Sequence, residues 1–141
     1  PAASLCADLL AKHADFFSIG TNDLTQYTMT VDRGNTEVSY LYSVFDPAVL
    51  RSVEHIIHAA KAANIPVGMC GEAAADERLI PLLVAYGLDE FSVNPTSISA
   101  VKRTLSLWSM NDAKALAERI SALETESEIR EALEAARKAG N

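Results

Sequence analysis

Apolar positions along the chain fall into short unbroken runs separated by longer stretches of helical period. After Pro1, which suits a first helical position, Leu5, Cys6, Leu9 and Leu10 recur on one face and predict an amphipathic helix ending near His13. Phe16-Phe17-Ser18-Ile19 is then a brief apolar run closed by Gly20, the pattern of a buried strand. Val67-Gly68-Met69-Cys70, closed by Gly71, and Phe91-Ser92-Val93-Asn94 repeat it. Between the first two runs, Thr21-Asn22-Asp23 supplies cap chemistry for a short helix, and residues 33–45 read as a loop. Asp46-Pro47 then opens a helix whose buried face is Val49, Leu50, Val53, Ile56, Ile57 and Ala60, stopped by Asn64 and Pro66. Residues 79–86 form the next helix, with Pro81 opening or kinking it and Gly87 as its C-terminal cap. Thr96 or Ser97 caps one more, which runs through Leu107.

Helices alternating with short apolar strands call for parallel strands joined by crossover helices, so the fold class is α/β. Asp15-Phe16-Phe17-Ser18-Ile19-Gly20 and Asp89-Glu90-Phe91-Ser92-Val93-Asn94 echo one another, as repeated units would. A closed parallel barrel needs eight such units and roughly 250 residues. This chain therefore reads as a piece of a larger sheet, and an open sheet leaves its edges to be paired. Beyond Trp108 the composition turns to Ala, Glu, Lys and Arg; Asn111 caps one predicted helix and Thr125-Glu126-Ser127-Glu128 forms a capping box for a second, giving a helical tail over 109–141.

Composition narrows the functional classes. In 141 residues, 49% hydrophobic, the sequence has no apolar run long enough to span a membrane and no secretory leader pattern, so a cytoplasmic setting without direct membrane insertion is expected. The formal charge of −7, with no basic cluster, argues against nucleic acid as a partner. Cys6 and Cys70 are too few for a disulfide framework, and Cys6, on the apolar face of the first helix, reads as packing. His13, His55 and His58 lack the company of a metal site, and Tyr27, Phe45 and Trp108 are assigned to packing.

In parallel α/β folds, ligands gather at the C-terminal ends of strands. The first such end carries Gly20-Thr21-Asn22-Asp23, with Asp32-Arg33-Gly34 close behind. An amide, a carboxylate and a guanidinium together suit a phosphate and its divalent metal. By spacing alone, a helix cap at Asn22 or Asp23 and a solvated Arg33 explain the same residues at least as well. At the second end, the thiol of Cys70 can act as nucleophile, metal ligand or proton donor, or can simply fill a small apolar space.

Taken together, Phe17-Ser18-Ile19-Gly20-Thr21-Asn22-Asp23-Leu24-Thr25-Gln26-Tyr27 and Val31-Asp32-Arg33-Gly34-Asn35 resemble the signature of the phosphoenolpyruvate-utilising enzymes. Gly68-Met69-Cys70-Gly71-Glu72-Ala73-Ala74-Ala75-Asp76 and Gly87-Leu88-Asp89-Glu90-Phe91-Ser92-Val93 are similar to the family's second signature, in the same order. Within the family, these residues favour the enzyme I branch of the sugar phosphotransferase system over pyruvate phosphate dikinase or phosphoenolpyruvate synthase.

The resemblance implies a TIM-type (β/α)8 barrel, of which residues 1–108 are the last three βα units, forming part of a phosphoenolpyruvate-binding barrel. Residues 109–141 would be a helical extension of the same domain. It also implies transfer of the phosphoryl group of phosphoenolpyruvate to a protein histidine with release of pyruvate, in the service of sugar uptake. By position, the resemblance makes Asn22 a phosphate contact, Asp23 a contact to the substrate and a ligand of Mg²⁺, Arg33 a phosphate-binding arginine, and Cys70 the acid that protonates the enolpyruvate carbon. The phosphocarrier protein would be reached through an N-terminal part, and the C-terminal domain is expected to form a homodimer. The phosphorylated histidine, the arginines of earlier strands and a second metal-ligating carboxylate expected just before Pro1 are not among these residues. Activity of the chain alone is accordingly not expected, and a non-catalytic dimerisation module is the competing reading.

Overall fold

The structure, a computed structural model, describes residues 1–139. Among them are strands β1 (Phe17–Gly20), β2 (Val67–Cys70) and β3 (Glu90–Phe91), and helices α1 (Ala2–Leu5), α2 (Ala7–Leu10), α3 (Thr21–Met29), α4 (Pro47–Ala62), α5 (Ile80–Tyr86), α6 (Ile98–Ser106), α7 (Met110–Ser121) and α8 (Glu126–Ala139). The strands form one parallel sheet in the order β1-β2-β3, with Ile19 opposite Met69 and Gly20 opposite Cys70, and with Gly68 opposite Glu90 and Met69 opposite Phe91. The α/β class holds. The third strand is shorter than its apolar run, because only Glu90 and Phe91 pair with β2 and the chain then turns at Pro95 into a 3₁₀ segment, Pro95–Ser97.

Because side chains alternate across a strand, each face of the sheet has its own character. Ile19, Val67 and Met69 are buried under the helices. On the opposite face, Ser18, Gly68 and Glu90 form one level across the sheet and Gly20 and Cys70 the next. Ser18 and Glu90 are exposed there, and among the described residues no helix covers this face.

Helix α4 follows directly from its sequence. Asp46 Oδ1 accepts from the Ala48 N–H at 2.8 Å, and Pro47 occupies the first turn, where its missing N–H costs nothing. Val49, Leu50, Val53, Ile57 and Ala60 are buried, each large aliphatic side chain contributing about 1.5–3 kcal/mol. The helix ends in a Schellman turn with Asn64 at φ 57, the Ile65 N–H donating to the Ala60 carbonyl at 3.0 Å. Gly87, at φ 98, ends α5 in the same way.

Several sequence expectations are corrected. The first helix breaks at Cys6 into α1 and α2, and its packed face is the small one: Ser4, Ala7 and Ala11 are buried, with α1 and α2 lying against α4. Close approach to α4 selects small residues, so Leu5, Leu9 and Leu10 face outward together with Cys6, which is exposed. Tyr27 is exposed as well. Ser109, not Asn111, caps α7, its hydroxyl accepting from the Asp112 N–H at 3.1 Å. The capping box before α8 forms as expected, with Thr125 Oγ1 accepting from the Glu128 N–H at 3.3 Å and Glu128 Oε2 accepting from the Thr125 N–H at 3.0 Å. In the helical tail, Leu116, Ile120, Ile129 and Leu133 enter the same core as Leu79, Leu82, Leu83 and Tyr86.

At the N-terminal ends of the strands, Asp89 ties the sheet together. Its Oδ2 accepts from the Val67 N–H at 2.9 Å, and Lys61 Nζ donates to its Oδ1. The Lys61 hydrogen bond, followed by that from Val67, holds the Asp89 carboxyl below its ordinary value. A depressed folded-state value means that stabilisation is present above the unfolded carboxylate pKa of ~3.9 and is lost as pH falls through the folded one. The pair is about two-fifths exposed, with side-chain exposures of 40% and 41%. Solvent screening therefore limits the expected loss on Asp89→Ala to about 0.5–1 kcal/mol at pH 7. Urea unfolding of both proteins at pH 7 and pH 3 checks this, since the gap should narrow as the carboxylate takes up its proton.

Candidate active site

The parallel register sets the C-terminal ends of β1 and β2 side by side, and Gly20 leads straight into α3. Glycine occupies the N-cap position of α3 with no side-chain cap, so the first N–H groups of the helix are left for another acceptor. These N–H groups and the positive end of the helix dipole suit an anion at the strand end. The expected capping role of Thr21, Asn22 and Asp23 is thus replaced, since all three lie inside the helix. Thr21 Oγ1 instead donates to the Cys70 carbonyl at 3.0 Å, and Asn22 Oδ1 accepts from the Glu72 N–H at 3.2 Å. Both bonds join the end of β1 to the end of β2.

Gly71 makes this approach possible. Its φ is +95, and a Cβ there would stand 2.5 Å from Thr21 Oγ1 and 3.0 Å from Asn22 Oδ1. The chain then enters a 3₁₀ segment, Glu72–Ala75. Asn22, Gly71, Glu72, Ala75, Ser92, Val93 and Asn94 line an open cleft of about 480 Å³ across the C-terminal ends of all three strands. On the other side of Asn22, the Tyr42 hydroxyl donates to the Asn22 carbonyl at 3.1 Å. Tyr42 follows the 3₁₀ segment Ser39–Leu41 in a stretch that the sequence pattern marked as loop.

The four residues singled out from sequence are not equally placed. Asn22 sits in the cleft, and Cys70, half-buried on the uncovered sheet face, stands beside Gly20 at the same level. Asp23, one residue on, is rotated by about 100° around the helix. It is exposed beside the outer edge of β1, in a groove shared with Gly20, Leu24 and Tyr27. Arg33 is exposed in the loop after α3, its main-chain N–H donating to Gln26 Oε1 at 3.4 Å. That loop is launched by Thr30 at φ 53, a left-handed conformation a β-branched residue adopts only under constraint. Thr21, Tyr42, Gly71, Glu72, Ser92 and Asn94 are the parts that residue type alone did not single out; Gly71 was visible as a strand terminator and, with Glu72, as part of the second signature, without a structural role. Mg²⁺ takes oxygen ligands, commonly one or two carboxylates with water and phosphate completing the set. Asp23 fits one such position, while among the described residues no group of three metal-ligating side chains gathers, so the set is not completed from these residues.

The fold and the cleft define an α/β domain whose open site lies at the C-terminal ends of parallel strands, where ligands gather in such folds. Residues 1–110 match the family described as PEP-utilising enzyme, PEP-binding domain, and the chain belongs to that family. Among its relatives, the phosphoenolpyruvate-protein phosphotransferase of Streptococcus equinus is 51% identical over 135 residues, covering 95% of this chain and 23% of the relative. Those of Geobacillus stearothermophilus and Bacillus subtilis are 49% and 48% identical over 129 residues, 92% of this chain. The chain thus spans between a fifth and a quarter of the length of these relatives, 22–23%. Among the described residues no helix is long and apolar enough to cross a membrane.

Proposed function

We propose that this chain is the closing part of the phosphoenolpyruvate site of a phosphoenolpyruvate-protein phosphotransferase, acting in sugar uptake through a phosphocarrier partner. The observation that supports the reading is the cleft at the strand ends in which Asn22 is held at Oδ1 by the Glu72 N–H, two residues beyond Cys70, which pairs with Gly20 at the end of the sheet. Asn22 and the uncapped start of α3 receive the phosphate, with Arg33 swinging in from its exposed loop to share the charge. Asp23 would supply one carboxylate ligand to Mg²⁺, and the ion, when bound, would supply charge neutralisation at the phosphate. When the phosphorus–oxygen bond to the enol breaks and the phosphoryl group passes to a histidine, the Cys70 thiol gives its proton to C3 of the enolate. Pyruvate leaves, and the thiolate takes a proton back from water.

The same reading makes residues 1–108 the last three units of a (β/α)8 barrel and 109–141 its helical extension. The outer edge of β1 supports it. Phe17, Ile19, Leu24, Tyr27 and Ile56 line an open groove there, and Leu5, Leu9, Leu10 and Phe16 are exposed nearby. A preceding strand and helix would cover this apolar surface, and a strand edge without a neighbour is an association site. Alone, the chain is expected to associate through this edge. Light scattering over a wide concentration range, with hydrogen exchange across residues 17–20, checks it, and a well-protected monomer throughout would count against the barrel reading.

In the full-length protein, Asp23→Asn is expected to raise the Mg²⁺ concentration needed for half-maximal turnover more than Arg33→Ala does, and Arg33→Ala to raise KM for phosphoenolpyruvate more than Asp23→Asn does. Metal and substrate titrations of the two variants separate the roles. An unchanged metal requirement in Asp23→Asn would leave Asp23 as a surface residue.

A further inference from the structure

Two loops flank Asn22, and both lead to α8. The first is the loop before α4, in which Tyr42 donates to the Asn22 carbonyl. Next to Tyr42, buried Ser43 donates its hydroxyl to Glu126 Oε1 at 2.7 Å and accepts from an Arg130 Nη at 3.1 Å. Arg130 Nε also donates to Glu126 Oε1, at 2.8 Å. The second loop is the 3₁₀ segment after Gly71, whose Glu72 N–H holds Asn22 Oδ1. It ends at Asp76, which binds Arg78 through both carboxylate oxygens, at 2.9 and 2.6 Å. The Phe45 ring, 3% exposed, joins the two loops: the guanidinium carbons of Arg78 and Arg130 each lie 4.5 Å from its centroid.

We propose that Glu126 and Arg130 of α8 are positioning residues for Asn22, fixing through Ser43, Phe45 and Arg78 the two loops that hold its carbonyl and its side chain. The links are hydrogen bonds, ion pairs and cation–π contacts, anchored on buried Ser43 and Phe45, while the Arg130 and Glu126 side chains are 46% and 32% exposed. Burial pushes the Glu126 carboxyl up, but the Ser43 hydroxyl and then Arg130 outweigh it and hold the group below the usual carboxylate range, so it is ionised at neutral pH. Relatives of the same barrel that lacked this helix would need another device to hold the amide in place.

The proposal rests on the reading of Asn22 as a phosphate contact, and its test separates the two. Amide hydrogen exchange in this chain is followed at Glu72 and at Leu83, whose N–H lies in the core helix α5. Arg130→Ala is expected to accelerate exchange at Glu72 by about tenfold relative to Leu83. Leu133→Ala, which loosens α8 only through its buried apolar face, should accelerate both equally. Glu126→Gln, which keeps the side-chain volume, should give the same order with a smaller factor and serves if Arg130→Ala does not fold. In the full-length protein, KM for phosphoenolpyruvate should rise about tenfold in Arg130→Ala with kcat changed less. If Glu72 and Leu83 respond alike to Arg130→Ala and Glu126→Gln, the positioning role is overturned. If Glu72 alone responds but the wild-type protein does not use phosphoenolpyruvate, the positioning network stands and the functional reading falls.

Discussion

Alanine in place of Cys70 is expected to slow pyruvate formation in the full-length protein by about 10²- to 10⁴-fold, the usual span for removing a positioned general acid. Phosphoenolpyruvate affinity should stay within about twofold, because a proton donor acts on the chemical step and not on the ground state. The side chain stands on the uncovered sheet face, level with Gly20 and half-buried, so its loss opens no large cavity in the core. Single-turnover kinetics with solvent deuterium uptake into the pyruvate methyl group separates the phosphoryl step from protonation. Turnover equal to wild type would return Cys70 to a packing role.

Gly71→Ala should be the most damaging single methyl group in the cleft. The new Cβ meets Thr21 Oγ1 at 2.5 Å in a backbone conformation, φ +95, that L-residues rarely adopt. With ψ −178, Gly71 lies in an extended positive-φ region that is essentially confined to glycine, where strain costs roughly 1–3 kcal/mol, and displacing Thr21 from the Cys70 carbonyl costs about 1 kcal/mol more. A loss of about 2–4 kcal/mol in urea unfolding is therefore expected, together with loss of the Glu72–Asn22 bond and a rise in KM for phosphoenolpyruvate. Thr21→Ser in the same background keeps the hydroxyl, so it should recover little. A Gly71→Ala protein as stable as wild type, with unchanged KM, would show that the approach of β1 and β2 is not limited at this point.

The strand ends and α4 were legible in the sequence because their signals are local. Asp46-Pro47 and the apolar period of α4 act within one helix, and a glycine after an apolar run marks the turn wherever it lies. The face of the first helix was misread for a physical reason: hydrophobicity says which side chains avoid water, but contact with α4 is decided by size, and Ala7 and Ala11 win over Leu5 and Leu9. The cleft was half legible. Asn22, Asp23, Arg33 and Cys70 stand out by the family resemblance and not by spacing; of the four, Asn22 lines the cleft, and the bonds that hold it come from Glu72 and Tyr42, 50 and 20 positions away, where no spacing rule joins them. Nor did the tail betray its part in the core. Its Ala, Glu, Lys and Arg predict two helices, and only the fold brings Ile129 and Leu133 into one core cluster with Leu79, Leu82 and Leu83.

The place of α8 in the chain carries a consequence for the order of assembly. All three strands and both loops around Asn22 precede it in sequence, yet Phe45 and Ser43 find their partners on it. During synthesis the sheet can pair as soon as residue 91 has emerged, while the cleft waits for residues 126–133. A ribosome stalled before α8 would hold a paired sheet in which Ser43 and Phe45 lack their partners on that helix, and proteolysis between residues 33 and 45 is expected to be faster there than in the finished chain.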